Sequence, residues 1–113
     1  MGDGAGRKLT VEFCDTPEKW TWGLQFRDSL DPDTVLLFPI PVPLFISFHM
    51  RNVRFPIDIA ALDSGFRILK IECIQPEAGR FRLPWRTRRV VEGAAGFFAG
   101  RGMRVGDVFR ELL

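Results

Sequence analysis

The sequence predicts a mainly β domain, a small β-sandwich or partly open barrel of six to seven short strands. One short N-terminal helix and one short C-terminal helical turn complete it. Apolar and polar residues alternate over short stretches, as in strands with one buried side. Clusters of Gly, Pro, Asp and Ser separate those stretches. Eleven Phe and three Trp without a single Tyr supply large rings that bring no phenolic hydroxyl into a core.

The chain of 113 residues is long enough for one domain with its own core. Residues 1–6 are Gly-rich and expected to be disordered, leaving 7–113 as a single globular domain. Lys8 to Cys14 alternates, with Leu9, Val11 and Phe13 on one side and Thr10, Glu12 and Cys14 on the other. Asp15-Thr16-Pro17-Glu18 reads as a helix start, because Pro suits the first helical position and acids suit the positive end of the dipole. Gly23 ends that helix after about two turns, with Trp20 and Leu24 on its inner side.

Asp28 to Asp33 is a loop by its turn residues, and Val35 to Phe38 an apolar strand. Pro39, Pro41 and Pro43 make a stiff extended connector that cannot donate to a central ladder. From Leu44 the chain alternates again, with Ile46, Phe48 and Met50 inward and Ser47, His49 and Arg51 outward. Ile57–Leu62 and Phe66–Cys73 flank Asp63-Ser64-Gly65 as a hairpin. A three-residue loop with Gly65 left-handed pairs apolar with apolar residues and sets Asp58 opposite Lys70. A loop then runs through Pro76, Gly79 and Pro84. Arg88 to Glu92 is a short strand, Ala94 to Gly100 a helical turn, and Val108 to Leu112 a last strand.

Net charge is +2, too little to point to nucleic acid by itself. Residues 1–75 hold eight Lys/Arg against ten Asp/Glu, and residues 76–113 eight Arg against four acids, so the basic excess lies late. No apolar run is long enough for a membrane helix. The start lacks the apolar stretch of a signal peptide. The expected compartment is the cytoplasm, with an exported form if a leader peptide has been removed. Cys14 and Cys73 are isolated in apolar, strand-like settings and read as small core residues. A disulfide is open to them only as neighbours in space. One His and no clustered acids cannot close a metal site, and no cofactor motif is present.

The stretch Phe48 to Ile59 concentrates the polar candidates. His49 is the sole side chain with an ordinary pKa near neutrality, and with Asp58 or Glu92 to orient it could act as a general base. No Ser or Cys stands in a nucleophile setting, so no catalytic residue is assigned and a small hydrolase or lyase is the alternative reading. Arg51 and Asn52 could hold an anion, Arg through its planar fork. Their structural roles would be an Arg51 pair with Asp58 or Glu92 and an Asn52 turn. Arg27, His49, Arg51, Asn52, Asp58 and Glu92 together outline a groove for a small anionic ligand or a protein partner. That makes a non-enzymatic binding module the expected function. Arg80, Arg82, Arg86, Arg88 and Arg89, interleaved with Phe81 and Trp85, form one basic-aromatic patch. It has the ingredients of a single-strand platform. A loop that buries its rings and solvates its charges is the better account at this modest net charge, so nucleic acid is not the expected partner.

Taken in order, Asp15-Thr16-Pro17-Glu18, Gly23-Leu24-Gln25-Phe26-Arg27, Phe48 through Ile59, Asp63-Ser64-Gly65, Val90-Val91-Glu92 and Gly102 through Asp107 resemble the bacterial and archaeal "domain of unknown function 192" family. The resemblance spans nearly the whole chain. It departs at Gln25, His49, Arg51 and Val53, where the family pattern has Met, Trp, Lys and Thr. It implies a compact, mostly β fold, sometimes exported, with no established activity.

Overall fold

The structure is a computed structural model and describes residues 8–16, 23–25, 27–41, 47–50, 52–76 and 80–113; at Ser47 and His49 the description is of the backbone. The alternating and apolar stretches form seven strands: β1 Thr10–Phe13, β2 Thr34–Pro39, β3 Ser47–His49, β4 Ile57–Leu62, β5 Ile68–Ile74, β6 Arg80–Arg82 and β7 Arg89–Ala94. Five of them make one sheet in the order β1-β2-β7-β4-β5, and β3 and β6 make a two-stranded ribbon. β1 and β2 run parallel, and the other pairs are antiparallel. The molecule is therefore mainly β with few helices. The finer expectation, a sandwich or partly open barrel, is not what the pairing draws: the large sheet stays open, with β1 and β5 at its edges.

The three inner strands read as near-continuous apolar runs because both of their sides are covered. On one face Leu36, Phe38, Ile57, Ile59, Ala61 and Val90 lie under Leu24, Met50, Val53, Phe81 and Leu83. The rings of Phe38 and Phe48 meet edge to face at 5.2 Å, which docks the ribbon on this face. On the opposite face Val35, Leu37, Ala60, Leu62 and Val91 lie under Phe97, Phe98 and Phe109. Fully burying rings of this size stabilises by about 1.5–3 kcal/mol each.

The parallel pair β1–β2 requires a long crossover rather than a tight turn. Residues 14–33 provide it, and Cys14 and Leu24 place it over the first face. This crossover carries Gln25 and Arg27 to the sheet. The expected helix before Gly23 lies largely in residues 17–22, outside the described residues, as does the Gly-rich start.

The β4–β5 hairpin corrects the expected register. Ile57 pairs with Ile74, Asp58 with Cys73, Ile59 with Glu72 and Ala61 with Lys70. The loop closes one residue later than expected, between Asp63 and Arg67, with Phe66 rather than Gly65 left-handed at φ 64°. The Asp63 carboxylate holds it by accepting from the backbone N–H of Gly65 and of Arg67. A bulge beside Ala61 and Leu62 adds a further slip. Pairing apolar with charged residues is tolerated because β5 is an edge strand. Lys70 lays its stem along the sheet and sets its ammonium 4.6 Å from the centre of the Phe81 ring.

Three further expectations are corrected. Arg80–Arg82 is a strand, not loop, because buried Phe81 pairs with Phe48. Val108 makes a single bridge to Arg67, and the chain then turns as a 3-10 helix at Arg110–Leu112 instead of forming a last strand. Cys14 is core, but Cys73 is exposed on the β5 edge, and no disulfide joins them. The late helical turn is present as Phe97–Gly100. Among the described residues no helix is long and apolar enough to cross a membrane.

Candidate functional site

Alternation along β7 divides its residues between the two faces. Val91 joins the Phe97 side, and Glu92 points to the crossover side between Leu36 and Ile59. Glu92 is 7% exposed, an acid at the centre of the sheet. Among the described residues no hydrogen bond reaches its carboxyl. Burial pushes that carboxyl up to about 8, and the nearby Arg27 charge pulls the other way without restoring it. At neutral pH Glu92 is thus protonated, a neutral O–H donor with a carbonyl acceptor.

Arg27 comes down from the crossover. Its guanidinium donates to both Glu12 oxygens, Nη2 to Oε1 at 2.8 Å and Nη1 to Oε2 at 3.2 Å. Those hydrogen bonds hold Glu12 below the usual carboxylate range against partial burial. The same bonds, with the Glu12 charge and more distantly Cys14 and Glu92, raise Arg27. Both partners are well exposed, 38% and 40%, so the pair is worth about 1 kcal/mol at most. Beside it, Asn52 Nδ2 donates to Gln25 Oε1 at 3.1 Å. Asn52 sits at φ 60° in the turn closed by Val53 N–H to Met50 O, a backbone that Asn tolerates better than most residues.

Some of the residues expected to line a groove come near one another. Arg27 and Glu92 come close on one face, and Asn52 reaches Gln25 of the same crossover. Asp58 does not join them. It lies on the opposite face of β4, buried, and accepts from the Phe98 backbone N–H at 3.2 Å, satisfying the start of the helical turn. It pairs across the sheet with Cys73, not Lys70, and its charge and hydrogen bond add to desolvation in raising that thiol. Arg51 lies outside the described residues. The His49 backbone pairs with Arg80 in the ribbon. Glu12 and Gln25 were not among the expected residues; the alternation of β1, which sets Glu12 beside Cys14, was the available signal. Among the described residues no three His, Cys, Asp or Glu converge as around a metal ion.

The basic-aromatic patch divides. Phe81 is fully buried and is core. Arg89 lies 3.9 Å over the Phe66 ring and donates to the carbonyls of Asp63 and Ser64, so it ties the hairpin loop. Arg88 buries its Nη1 without a hydrogen-bond partner among the described residues. Arg80, Arg82 and Arg86 are exposed, and Trp85 is 53% exposed.

The DUF192 family model, described as "Uncharacterized ACR", matches residues 2–110. No curated protein matches the chain. Among solved structures, the chain is similar to a candidate transcription regulator from Sinorhizobium meliloti, with 25% identity and a TM-score of 0.80 over 88% of this chain and 79% of that one. It is similar as well to a protein of unknown function from Novosphingobium aromaticivorans, with 25% identity and a TM-score of 0.79 over 88% and 73% of the two chains.

Proposed function

The chain belongs to the DUF192 family, and on that footing we propose that it is a non-enzymatic binding module whose recognition site is the face around Glu92 and Arg27, taking a small anionic ligand. The observation that carries this reading is Glu92, a nine-tenths buried carboxyl with no hydrogen bond among the described residues, held protonated next to a guanidinium. A carboxyl this deep with no hydrogen bond among the described residues has its donor and acceptor open to a partner. A ligand carboxylate would accept from the Glu92 O–H and from the Arg27 N–H groups that Glu12 leaves unused. Gln25 and Asn52 add amides at one end, and the neighbouring stretch at His49 and Arg51 borders it in sequence.

The compact aromatic scaffold on both sides of the sheet makes the site rigid, which suits binding without loss of freedom at the moment of recognition. A reaction would need a nucleophile or a positioned base, and Asp58, one of the two carboxylates expected to orient His49, is committed to Phe98 on the other face.

The test is a backbone amide spectrum with additions of small carboxylates, nucleotides and short peptides. Shifts are expected at residues 24–27, 52–53 and 92, and are expected to vanish in Arg27→Gln, whose side chain is too exposed to endanger the fold. Shifts that survive Arg27→Gln unchanged, or that avoid these residues, would rule the site out.

A further inference from the structure

Residues 80–91 contain five arginines and no acid. Elsewhere several arginines are tied down: Arg27 to Glu12, Arg54 to Asp28, Arg101 to Asp33 and the Phe97 ring. Arg80, Arg82 and Arg86 differ. Among the described residues their side chains have no ion pair, hydrogen bond or ring contact. An arginine fork pairs readily with a carboxylate, so three unpaired forks in seven residues mark, among the described residues, a surface left unneutralised.

These side chains are held on a rigid base. Phe81 and Leu83 are buried and alternate with exposed Arg80 and Arg82, so both arginines project from the outer side of the ribbon. The Lys70 ammonium fixes the backbone between them and the turn by donating to the Arg82 carbonyl at 2.9 Å. The turn that follows is closed by Thr87, whose N–H and hydroxyl both donate to the Pro84 carbonyl, at 3.1 and 2.7 Å. Thr87 is 1% exposed, and the closure sets Trp85 and Arg86 at the two central positions of the turn. Trp85 thereby keeps more than half its surface in water, next to Arg86 in the turn. Glu72 is the acid facing this region from β5, and it is paired with Lys70 at 3.5 Å.

We propose that the outer side of the β3–β6 ribbon, formed by Arg80, Arg82, Arg86 and Trp85, is a second binding surface that takes single-stranded nucleic acid. The three arginines take successive backbone phosphates. Trp85 stacks on a base, a contact open to every base because each has a π-face. The surface is distinct from the Glu92 face: its side chains point away from the core that holds Glu92. A lipid headgroup layer shares the phosphate chemistry, but gives an indole no base to stack on, and it is treated as an outcome of the test.

The experiment is fluorescence anisotropy of a labelled oligothymidylate across a salt series, with duplex DNA, heparin and phosphatidylserine vesicles as further arms. For three phosphate contacts on a single strand, log affinity is expected to fall with log salt at a slope of about −2. Arg82→Glu with Arg86→Glu is expected to abolish binding at every salt concentration. Trp85→Ala is expected to weaken it about tenfold or more while leaving the salt slope unchanged. All three substitutions are at exposed positions, and an unchanged amide spectrum confirms that each variant is folded. Absence of binding at low salt overturns the proposal, and so does binding untouched by the double charge reversal. Heparin bound as tightly as the oligonucleotide, with Trp85→Ala neutral, reduces the surface to generic polyanion attraction and rejects a nucleic-acid site. Vesicles bound in preference to the oligonucleotide reassign it to membranes.

Discussion

Replacing Glu92 by Gln keeps the shape of the side chain and removes its titration. In the folded chain the Glu92 carboxyl titrates at about 8, against an ordinary value of 4.5 when unfolded. Between those values the folded state holds a proton that the unfolded state has released, so unfolding free energy falls as pH rises. The stability associated with this group is fully present below 4.5 and is lost as pH climbs through about 8. Each pH unit of that window costs about 1.4 kcal/mol, so crossing all of it costs about 4–5 kcal/mol. That is a large part of the roughly 5–15 kcal/mol typical of a folded domain. Urea unfolding of wild type and Glu92→Gln across the window is the assay. The two are expected to have similar midpoints at the acid end, and the variant to lead by a growing margin toward pH 8, with equal m-values. Parallel midpoints over the whole range would refute the argument, because they would mean that Glu92 titrates like a solvated acid.

Other positions test the packing. A Cβ on Gly93 would meet Phe97 ring and Cβ atoms at 3.0 and 3.1 Å, so Gly93→Ala is expected to cost about 1–3 kcal/mol in chemical denaturation. Asp58→Ala leaves the Phe98 N–H without its buried acceptor and should cost a similar 1–3 kcal/mol. The signature would be loss of amide-exchange protection at residues 97–100 before the rest of the sheet. Cys73 is exposed but its thiol is raised by desolvation and by Asp58, so alkylation near neutrality should be slower than for a free thiol and faster in Asp58→Asn. Cys14 should label only on unfolding.

The strands were legible wherever an alternation or an apolar run met a turn cluster, as in Ile57–Leu62 before Asp63-Ser64-Gly65. The register was not legible, since it depends on Phe66 adopting a left-handed backbone next to an available glycine, and on a bulge beside Ala61 and Leu62. Pairing rules favoured apolar opposite apolar, but at an edge strand a lysine can cover a ring with its stem and keep its charge wet. Of the site, Arg27, Asn52 and Glu92 were identifiable as polar residues on an aromatic scaffold. Asp58 belongs to the same polar stretch as Asn52 in sequence, yet one step along a strand reverses the face and sets it on the other side of the sheet. The pairing of Glu12 with Arg27 depends on where the crossover sets Arg27 against β1, and the centrality of Glu92 depends on β7 lying between β2 and β4.

That placement of β7 governs the order in which the sheet can be assembled. As the chain leaves the ribosome, β1 with β2 and β4 with β5 can each pair early, and both pairs then present an open strand edge to the other. Residues 89–94 arrive late and insert between them, joining through ladders that link Leu36 with Glu92 and Glu92 with Ile59. The closing contacts are distant in sequence, so folding should be slow for a domain of this size. Until they form, the half-sheets expose the apolar edges on which nascent β proteins aggregate. The acid that arrives at this seam, Glu92, is the residue least suited to pairing with another chain's apolar strand while it is still ionised.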